Sequence, residues 1–408
     1  MRFVYNGTCE IAPGPADRYL VRSAELGREL EATGYQVGLL RAFENPAAID
    51  EVLKKFPFSR EASSVFLTEA VDAGFLLSVD EEGRTLLPQT RRATPTIFGA
   101  PPHDPANPAA FTVLGVPFDG NTTGFAGARF GPSAIRAAAE TCRYTLDPLT
   151  LAPMGFEDLG SGRRLLQGVT LADGGDVLVT AGEPADDLYD RITRAVRDLL
   201  KSGTIPVVLG GDHSITYPVL RAFSEDSLRI IHFDAHTDLG DIPTTGLHHG
   251  NVFSFVLDRI ETVVHIHQIG LRGIMGAGAV EDIERTDRIG VDRMRALFDR
   301  LPSMIPDDGP CYLSIDIDVV DPSFAPSTGT PVAGGLFPHE LKNLVHSICS
   351  THEVVGMDLV EVGHADAPDD GTAHVALETV LTACDGIVRS MQMALEDERS
   401  SNQEEEST

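Results

Sequence analysis

The chain has 408 residues, is 42% hydrophobic, and carries 61 acidic against 32 basic side chains, a formal net charge of −29. That length at ordinary apolar content excludes a disordered chain and provides core for one large domain or two. The acidic surplus excludes bulk phosphate binding, because nucleic acids and anionic membranes demand clustered positive charge.

Only four of the 32 bases are lysine, which fits a salt-rich cytosol and a G+C-rich genome equally well. The cysteines, at 9, 142, 311, 349 and 384, form no C-x-x-C pair and are odd in number, so they read as buried thiols in a reducing compartment. Residues 1–12 lack a basic start followed by an apolar stretch, and no apolar run reaches bilayer length. The expectation is a cytoplasmic protein with neither export signal nor membrane span.

The first elements in the chain are short. Residues 47–55 form a brief helical stretch, and 59–73 put Ala62, Val65, Phe66, Ala70 and Ala73 on one helical face. Residues 75–79 and 85–87, around a turn at Asp80–Gly83, read as a β-hairpin. Helices followed by a hairpin outline a winged helix-turn-helix over residues 1–87. Its charges argue against DNA: residues 1–110 carry 11 bases and 15 acids, and the second helix sets Glu61, Glu69 and Asp72 against Arg60 alone. An accessory domain, or one that docks a partner or tethered substrate, is the expectation. Six prolines between 88 and 108 read as a linker spanning 88–110.

From 111 to 395 apolar strands alternate with helical patterns. Residues 111–116, 205–209, 229–233, 263–269, 311–317 and 354–360 read as strands, and 184–202 as the clearest helix, closed by Gly203. This is the pattern of a three-layer αβα fold with a mostly parallel central sheet. Residues 396–408, rich in glutamate, read as an acidic disordered tail.

In parallel sheets function collects at the carboxyl ends of the strands, and three polar clusters fall there. They are Gly210-Gly211-Asp212-His213-Ser214, Asp234-Ala235-His236-Thr237-Asp238, and Asp316-Ile317-Asp318 running into Asp321-Pro322. Period-two alternation puts Asp234, His236 and Asp238 on one face, and Asp316 with Asp318. Four carboxylates with imidazoles at one sheet edge cannot all remain anionic unless cations neutralise them. Two divalent ions are the economical solution, and carboxylate-rich ligation favours Mn²⁺, with zinc, cobalt, nickel or iron also able to use such donors. His265 and His267 read as sheet residues, and His232 as a structural residue on the opposite face.

These clusters, with Gly115-Val-Pro-Phe-Asp119, Asp321-Pro-Ser-Phe-Ala-Pro-Ser-Thr-Gly-Thr-Pro331 and Gly356-Met-Asp-Leu-Val-Glu361, closely resemble the signatures of the arginase/agmatinase ureohydrolase family over roughly residues 111–395. The resemblance implies one manganese on His213, Asp234, Asp238 and Asp316 and a second on Asp234, His236, Asp316 and Asp318. It implies that Asp238 orients a hydroxide and carries its proton to the leaving amine, that Glu361 pairs with the substrate guanidinium, and that His249, preferred over His248, shuttles protons near the site mouth. The products would be urea and a primary amine. Family members are commonly homotrimers or hexamers.

The loop from Asp238 to His249 is short, with Gly240 where arginase-type members carry an asparagine that grips the amino-acid head group. The resemblance therefore points to agmatine, cleaved to putrescine, ahead of free arginine. Guanidinobutyrate, guanidinopropionate, guanidine, or a guanidino group on a carrier or peptide recruited by the N-terminal domain stay open. Asp241 or Arg272 near the mouth would tip the choice of tail charge. An inactive regulatory relative is the non-enzyme alternative, weakened by the complete ligand set.

Overall fold

The computed structural model describes residues 2–7, 9–14, 18–23, 28–56, 59–72, 74–79, 85–86, 89–180, 182–223, 227–241, 246–274, 289–292, 305–306, 309–363 and 371–406. Its contacts divide the chain into two compact units, Met1–Thr94 and Pro95–Thr408.

In the first unit, helices Gly34–Arg41, Ile49–Leu53 and Arg60–Asp72 enclose a core of Leu39, Leu40, Phe43, Phe66, Leu67 and Phe75. Strands Arg2–Tyr5, Leu76–Val79 and Thr85–Leu86 make an antiparallel sheet beside them, while the expected turn at 80–83 lies outside the described residues. A second antiparallel sheet, Glu10–Pro13, Arg18–Ser23 and Arg28–Thr33, was not legible from the sequence. Its strands are short and interrupted by charged residues, so they carry little apolar signal. The last ends in a capping box: Gln36 N–H donates to Thr33 Oγ1 at 3.3 Å and Thr33 N–H to Gln36 Oε1 at 2.8 Å, which starts the next helix.

The second unit is built on a parallel sheet in the order Ile289–Asp292, Val263–Ile269, Leu228–Phe233, Cys311–Asp316, Val354–Val360, Ile205–Leu209, Phe111–Gly115, Leu171–Val177. Alternation along the strands feeds two cores. Val207, Leu209, Ile231, Phe233, Leu313 and Ile315 pack against helices Gly131–Ala138, Pro338–Thr351 and the start of Thr372–Glu406. Val208, Leu228, Ile230 and Tyr312 face the opposite way, against Ala185–Ser202, Thr216–Leu220 and Val252–Arg259. Burial on both faces explains the continuous apolar runs. Leu171–Val177 escaped the sequence reading because its middle is Asp-Gly-Gly-Asp.

Two boundaries differ from expectation. The proline-rich stretch is packed at its centre: Ile97, Phe98 and Ala100 join the core, and Ile97 N–H donates to the buried Asp173 Oδ2 at 2.7 Å. Proline fixes φ without forbidding burial, and apolar residues between the prolines supply the packing. The acidic tail is helical as far as Glu406, continuing the helix that begins at Thr372.

Arg136, on Gly131–Ala138, is 1% exposed and ties this helix to the sheet. Its Nε and Nη2 donate to Asp173 at 2.9 and 3.0 Å, and its Nη1 to Asp176 at 2.5 Å. Truncating one member of such a buried group strands the others without compensation. Arg136→Ala is therefore expected to lower stability by about 3–5 kcal/mol, read as a shift in the urea midpoint. A loss below about 1 kcal/mol would show that water reaches these carboxylates.

Candidate active site

The polar clusters sit at the carboxyl ends of four neighbouring strands, Leu228–Phe233, Cys311–Asp316, Val354–Val360 and Ile205–Leu209. The bends that aim them are strained or glycine-dependent. Asp238 and Glu361 occupy the left-handed region, with φ of 51° and 62°, where a non-glycine residue is held only by its surroundings. At Gly211 a Cβ would lie 1.7 Å from Phe118 O, so no other residue fits that turn.

His213 is fully buried, and its Nδ1 lies 3.3 Å from Asp234 Oδ2, 3.0 Å from Asp238 Oδ2 and 3.5 Å from Asp316 Oδ2. That nitrogen has no hydrogen-bond partner. Beside it, His236 Nδ1 lies 3.4 Å from Asp234 Oδ1 and 2.9 Å from Asp318 Oδ2. Asp234 thus offers one oxygen to each cluster. Asp316 reaches the first cluster through Oδ2, while its Oδ1 accepts the Asp318 N–H at 2.8 Å.

The electrostatics show what the donors lack. Burial, then the charges of Asp318 and Asp234, push the Asp316 carboxyl well up. Asp318 rises to about 6 for the same reasons of burial and the neighbouring Asp234 charge. Burial pulls His236 down, but hydrogen bonds and charge from Asp234 and Asp318 outweigh it and carry the imidazole up to about 11. Protons are thus retained where positive charge is missing. An orphaned, buried imidazole nitrogen and carboxylates that share one residue between two clusters fit a pair of divalent cations held by N and O donors.

His232 corrects the sequence reading. It stands two residues before Asp234, so period two puts both on the same face: its Nε2 is 2.8 Å from Asp234 Oδ2. Gln268 Nε2 donates to Thr237 O at 2.7 Å and to His232 Nδ1 at 3.0 Å. The carbonyl fixes the amide orientation, and Nε2–H of His232 is left to donate to Asp234. The ring packs on Phe253, with centroids 4.2 Å apart. His265 and His267 lie on the strand Val263–Ile269, as expected.

His249, not His248, adjoins Glu361. Thr123 N–H donates to His249 Nε2 at 2.9 Å, which leaves Nδ1–H to donate to Glu361 Oε1 at 3.0 Å. Burial lowers the His249 pKa, but the Glu361 hydrogen bond and charge outweigh it and raise the group overall. Glu361 Oε1 also accepts the His213 N–H at 2.8 Å, while Oε2 is buried without a partner. His249 is itself buried, at 6% exposure, deeper than the mouth position expected of it. A cavity of about 580 Å³ opens over Asp238, His249 and Asp316, walled by Thr123, Asp241 and Thr330 among others. Thr123 was missed by the sequence reading. It sits on a loop whose only signal was the preceding Asp119, and that carboxylate accepts from Gly127 N–H at 2.8 Å and from Arg129 Nε at 2.5 Å.

The comparisons with known proteins indicate a hydrolase of the ureohydrolase type. The model of the Arginase family matches residues 109–385, and the chain belongs to that family. It is similar to the mitochondrial agmatinase of Gallus gallus, 36% identical over 267 residues, covering 62% of this chain and 73% of that protein. It is also similar to the guanidinopropionase of Pseudomonas aeruginosa, 35% identical over 280 residues, covering 63% of this chain and 80% of that one. Among solved structures, proclavaminate amidino hydrolase from Streptomyces clavuligerus superposes with a TM-score of 0.60 at 29% identity, covering 73% of this chain and 98% of that one. Residues 1–108 lie outside the matched family region. Among the described residues no helix is long and apolar enough to cross a membrane.

Arg272, expected near the mouth as a selector of substrate tails, does line the cavity, and its guanidinium is also held by the backbone. Its guanidinium donates to the carbonyls of Gly270, Asp318, Val319, Val320 and Val332. Arg272→Met would leave those carbonyls short of donors, and a loss of about 2–3 kcal/mol in stability is expected, with KM rising alike for cationic and anionic guanidino compounds. A KM effect confined to anionic tails would instead put this guanidinium in substrate recognition.

Proposed function

We propose that the protein hydrolyses the guanidino C–N bond of a small cationic guanidino compound, agmatine first, to urea and a primary amine, with two Mn²⁺ ions. The observation that carries this reading is the pair of donor clusters joined at Asp234 beside the unpartnered Glu361 Oε2. His213, Asp234, Asp238 and Asp316 would hold one ion, and Asp234, His236, Asp316 and Asp318 the other. When bound, such a pair of cations would supply a hydroxide nucleophile near neutral pH.

The remaining work falls to the chain. Glu361 Oε2, buried without a partner behind His249, pairs with the guanidinium and fixes its plane. Asp238, in the first cluster and on the cavity wall, orients the attacking oxygen and hands its proton to the leaving nitrogen. His249 and Thr123, whose Oγ1 lies 2.7 Å from His249 Nε2, exchange protons with the departing amine. Agmatine is favoured by the agmatinase relative, by Gly240 in place of a head-group ligand, and by an acidic surface that attracts cations. The guanidinopropionase relative keeps acidic tails in the test.

A urea-release screen of the Mn²⁺-loaded protein should show agmatine turned over fastest and free arginine slowest among agmatine, guanidinobutyrate, guanidinopropionate, guanidine and arginine. No urea from any of them, together with no Mn²⁺ uptake, would leave the inactive regulatory relative as the better account. Glu361→Gln should lose about 2–5 kcal/mol of transition-state stabilisation with metal content unchanged. Asp238→Asn should abolish turnover, and His249→Phe should slow it with both ions retained.

A second reading concerns delivery of a peptide- or carrier-linked guanidino group by residues 1–87. In the first unit, Arg28–Thr33 is an edge strand of its sheet, and a cavity of about 520 Å³ lined by Thr33, Tyr35, Gln36, Ser59, Ala62 and Ser63 lies at its end. An exposed edge beside a groove is how an added peptide strand is held. Removing residues 1–94 should then leave kcat/KM for free agmatine within about twofold and lower it at least tenfold for an arginine-bearing peptide substrate. Equal loss for both would tie the segment to the stability of the catalytic unit.

A further inference from the structure

Beneath the site lies a buried carboxylate that touches neither the cavity nor the proposed ions. Asp358 is fully buried on Val354–Val360, and its register partner on the neighbouring strand is Ser314. Ser314 Oγ lies 2.7 Å from Asp358 Oδ1 and 3.0 Å from His213 Nε2. Tyr312 OH and Thr216 Oγ1 donate to the other oxygen, Oδ2, at 2.9 and 2.8 Å.

The directions of these bonds follow from donor chemistry. A carboxylate only accepts, so Ser314 gives its single proton to Asp358 and can only accept from its other neighbour. That neighbour is His213, which must carry its proton on Nε2. A ring protonated there presents its lone pair at Nδ1, the atom aimed at Asp234, Asp238 and Asp316. The two strands are paired in register, so the Asp358–Ser314 link is set by the sheet itself, and His213 reaches Ser314 from the turn after Ile205–Leu209.

We propose that Asp358 is a positioning residue: acting through Ser314, it fixes the tautomer and orientation of His213 so that Nδ1 can take a divalent cation. This rests on the two-ion reading of the site. A carboxylate buried only for packing would, by contrast, affect stability without distinguishing the His213 cluster from the His236 cluster.

The distinction is measurable by Mn²⁺ titration of the full-length protein, with calorimetry for the two affinities and electron paramagnetic resonance for the exchange-coupled pair. In Ser314→Ala one affinity should fall about 10- to 100-fold, the other should stay within about twofold, and a single-ion signal should replace the coupled one at limiting metal. Asp358→Asn should be worse. Tyr312 and Thr216 keep the amide oxygen on their side, so the NH₂ group faces Ser314. The serine must then accept from it, turns its own proton toward His213 Nε2, and moves the ring proton to Nδ1. Ser314→Thr, which keeps the hydroxyl, should restore both ions.

Circular dichroism of the metal-free variants checks folding, and the near-isosteric Asp358→Asn decides the matter if Ser314→Ala does not fold. A wild-type protein that takes up no divalent cation overturns the two-ion reading and this proposal with it. A wild type with two ions beside variants that bind two equally tightly, or lose both together, overturns the positioning role alone.

Discussion

Negative charge packed at the ends of parallel strands is the constraint to which the rest of the catalytic unit answers. Asp234, Asp238, Asp316 and Asp318 are each at most 8% exposed, and their oxygens crowd around two imidazole nitrogens. Such an arrangement is unfavourable unless positive charge enters, since burial and like charge both oppose ionisation. Burial and the neighbouring carboxylates push Asp316 and Asp318 up, and hydrogen bonds and charge from Asp234 and Asp318 carry His236 to about 11. The site is thus a fixed deficit of positive charge, with Asp234 contributing to both halves of it.

Holding that deficit in place requires rigidity from elements that never meet a substrate. The register of Cys311–Asp316 with Val354–Val360 sets Ser314 opposite Asp358, and the register with Leu228–Phe233 sets it opposite His232. Both His213 and His232 therefore have their second nitrogens engaged from below, one by Ser314 and the other by Gln268. Above the sheet, the left-handed conformations of Asp238 and Glu361 turn the chain sharply at the two carboxylates assigned to chemistry. Strain of this kind persists only where surrounding packing over-determines it. Arg272, donating to five carbonyls at Gly270, Asp318–Val320 and Val332, fixes the chain that follows Asp318.

How much of this could be read in the sequence depends on how local each signal was. The strands Ile205–Leu209 and Val354–Val360 are continuous apolar runs ending in polar clusters, and period-two alternation within Asp234–Asp238 is a property of the chain alone. Leu171–Val177 hid behind its glycines, and the meander ending at Arg28–Thr33 behind its charges. His232 was misassigned although the same alternation that unites Asp234 with His236 also includes it. Thr123 and Asp358 were out of reach for a different reason: what they touch lies 126 and 44 residues away in sequence, and only the fold brings them together. Arg272 stood beside the mouth as a free charge until its carbonyl partners were visible.

The surplus of 29 negative charges acquires structure from these distinctions. The site carboxylates would be neutralised by bound cations and contribute little to the external field. In the first unit three of the eleven bases are in exposed ion pairs, Arg18 with Glu31, Arg22 with Glu29 and Arg60 with Asp50, while Glu61 and Glu69 stand exposed on the helix Arg60–Asp72. A helix with that balance repels phosphate, which weighs against the DNA-binding expectation that a winged-helix outline would raise. The same balance attracts guanidinium, in a salt-sensitive way because the acids are exposed. The slight acidic excess of the accessory unit thus bears on phosphate partners, while the guanidino reading rests on the family core of the second unit alone.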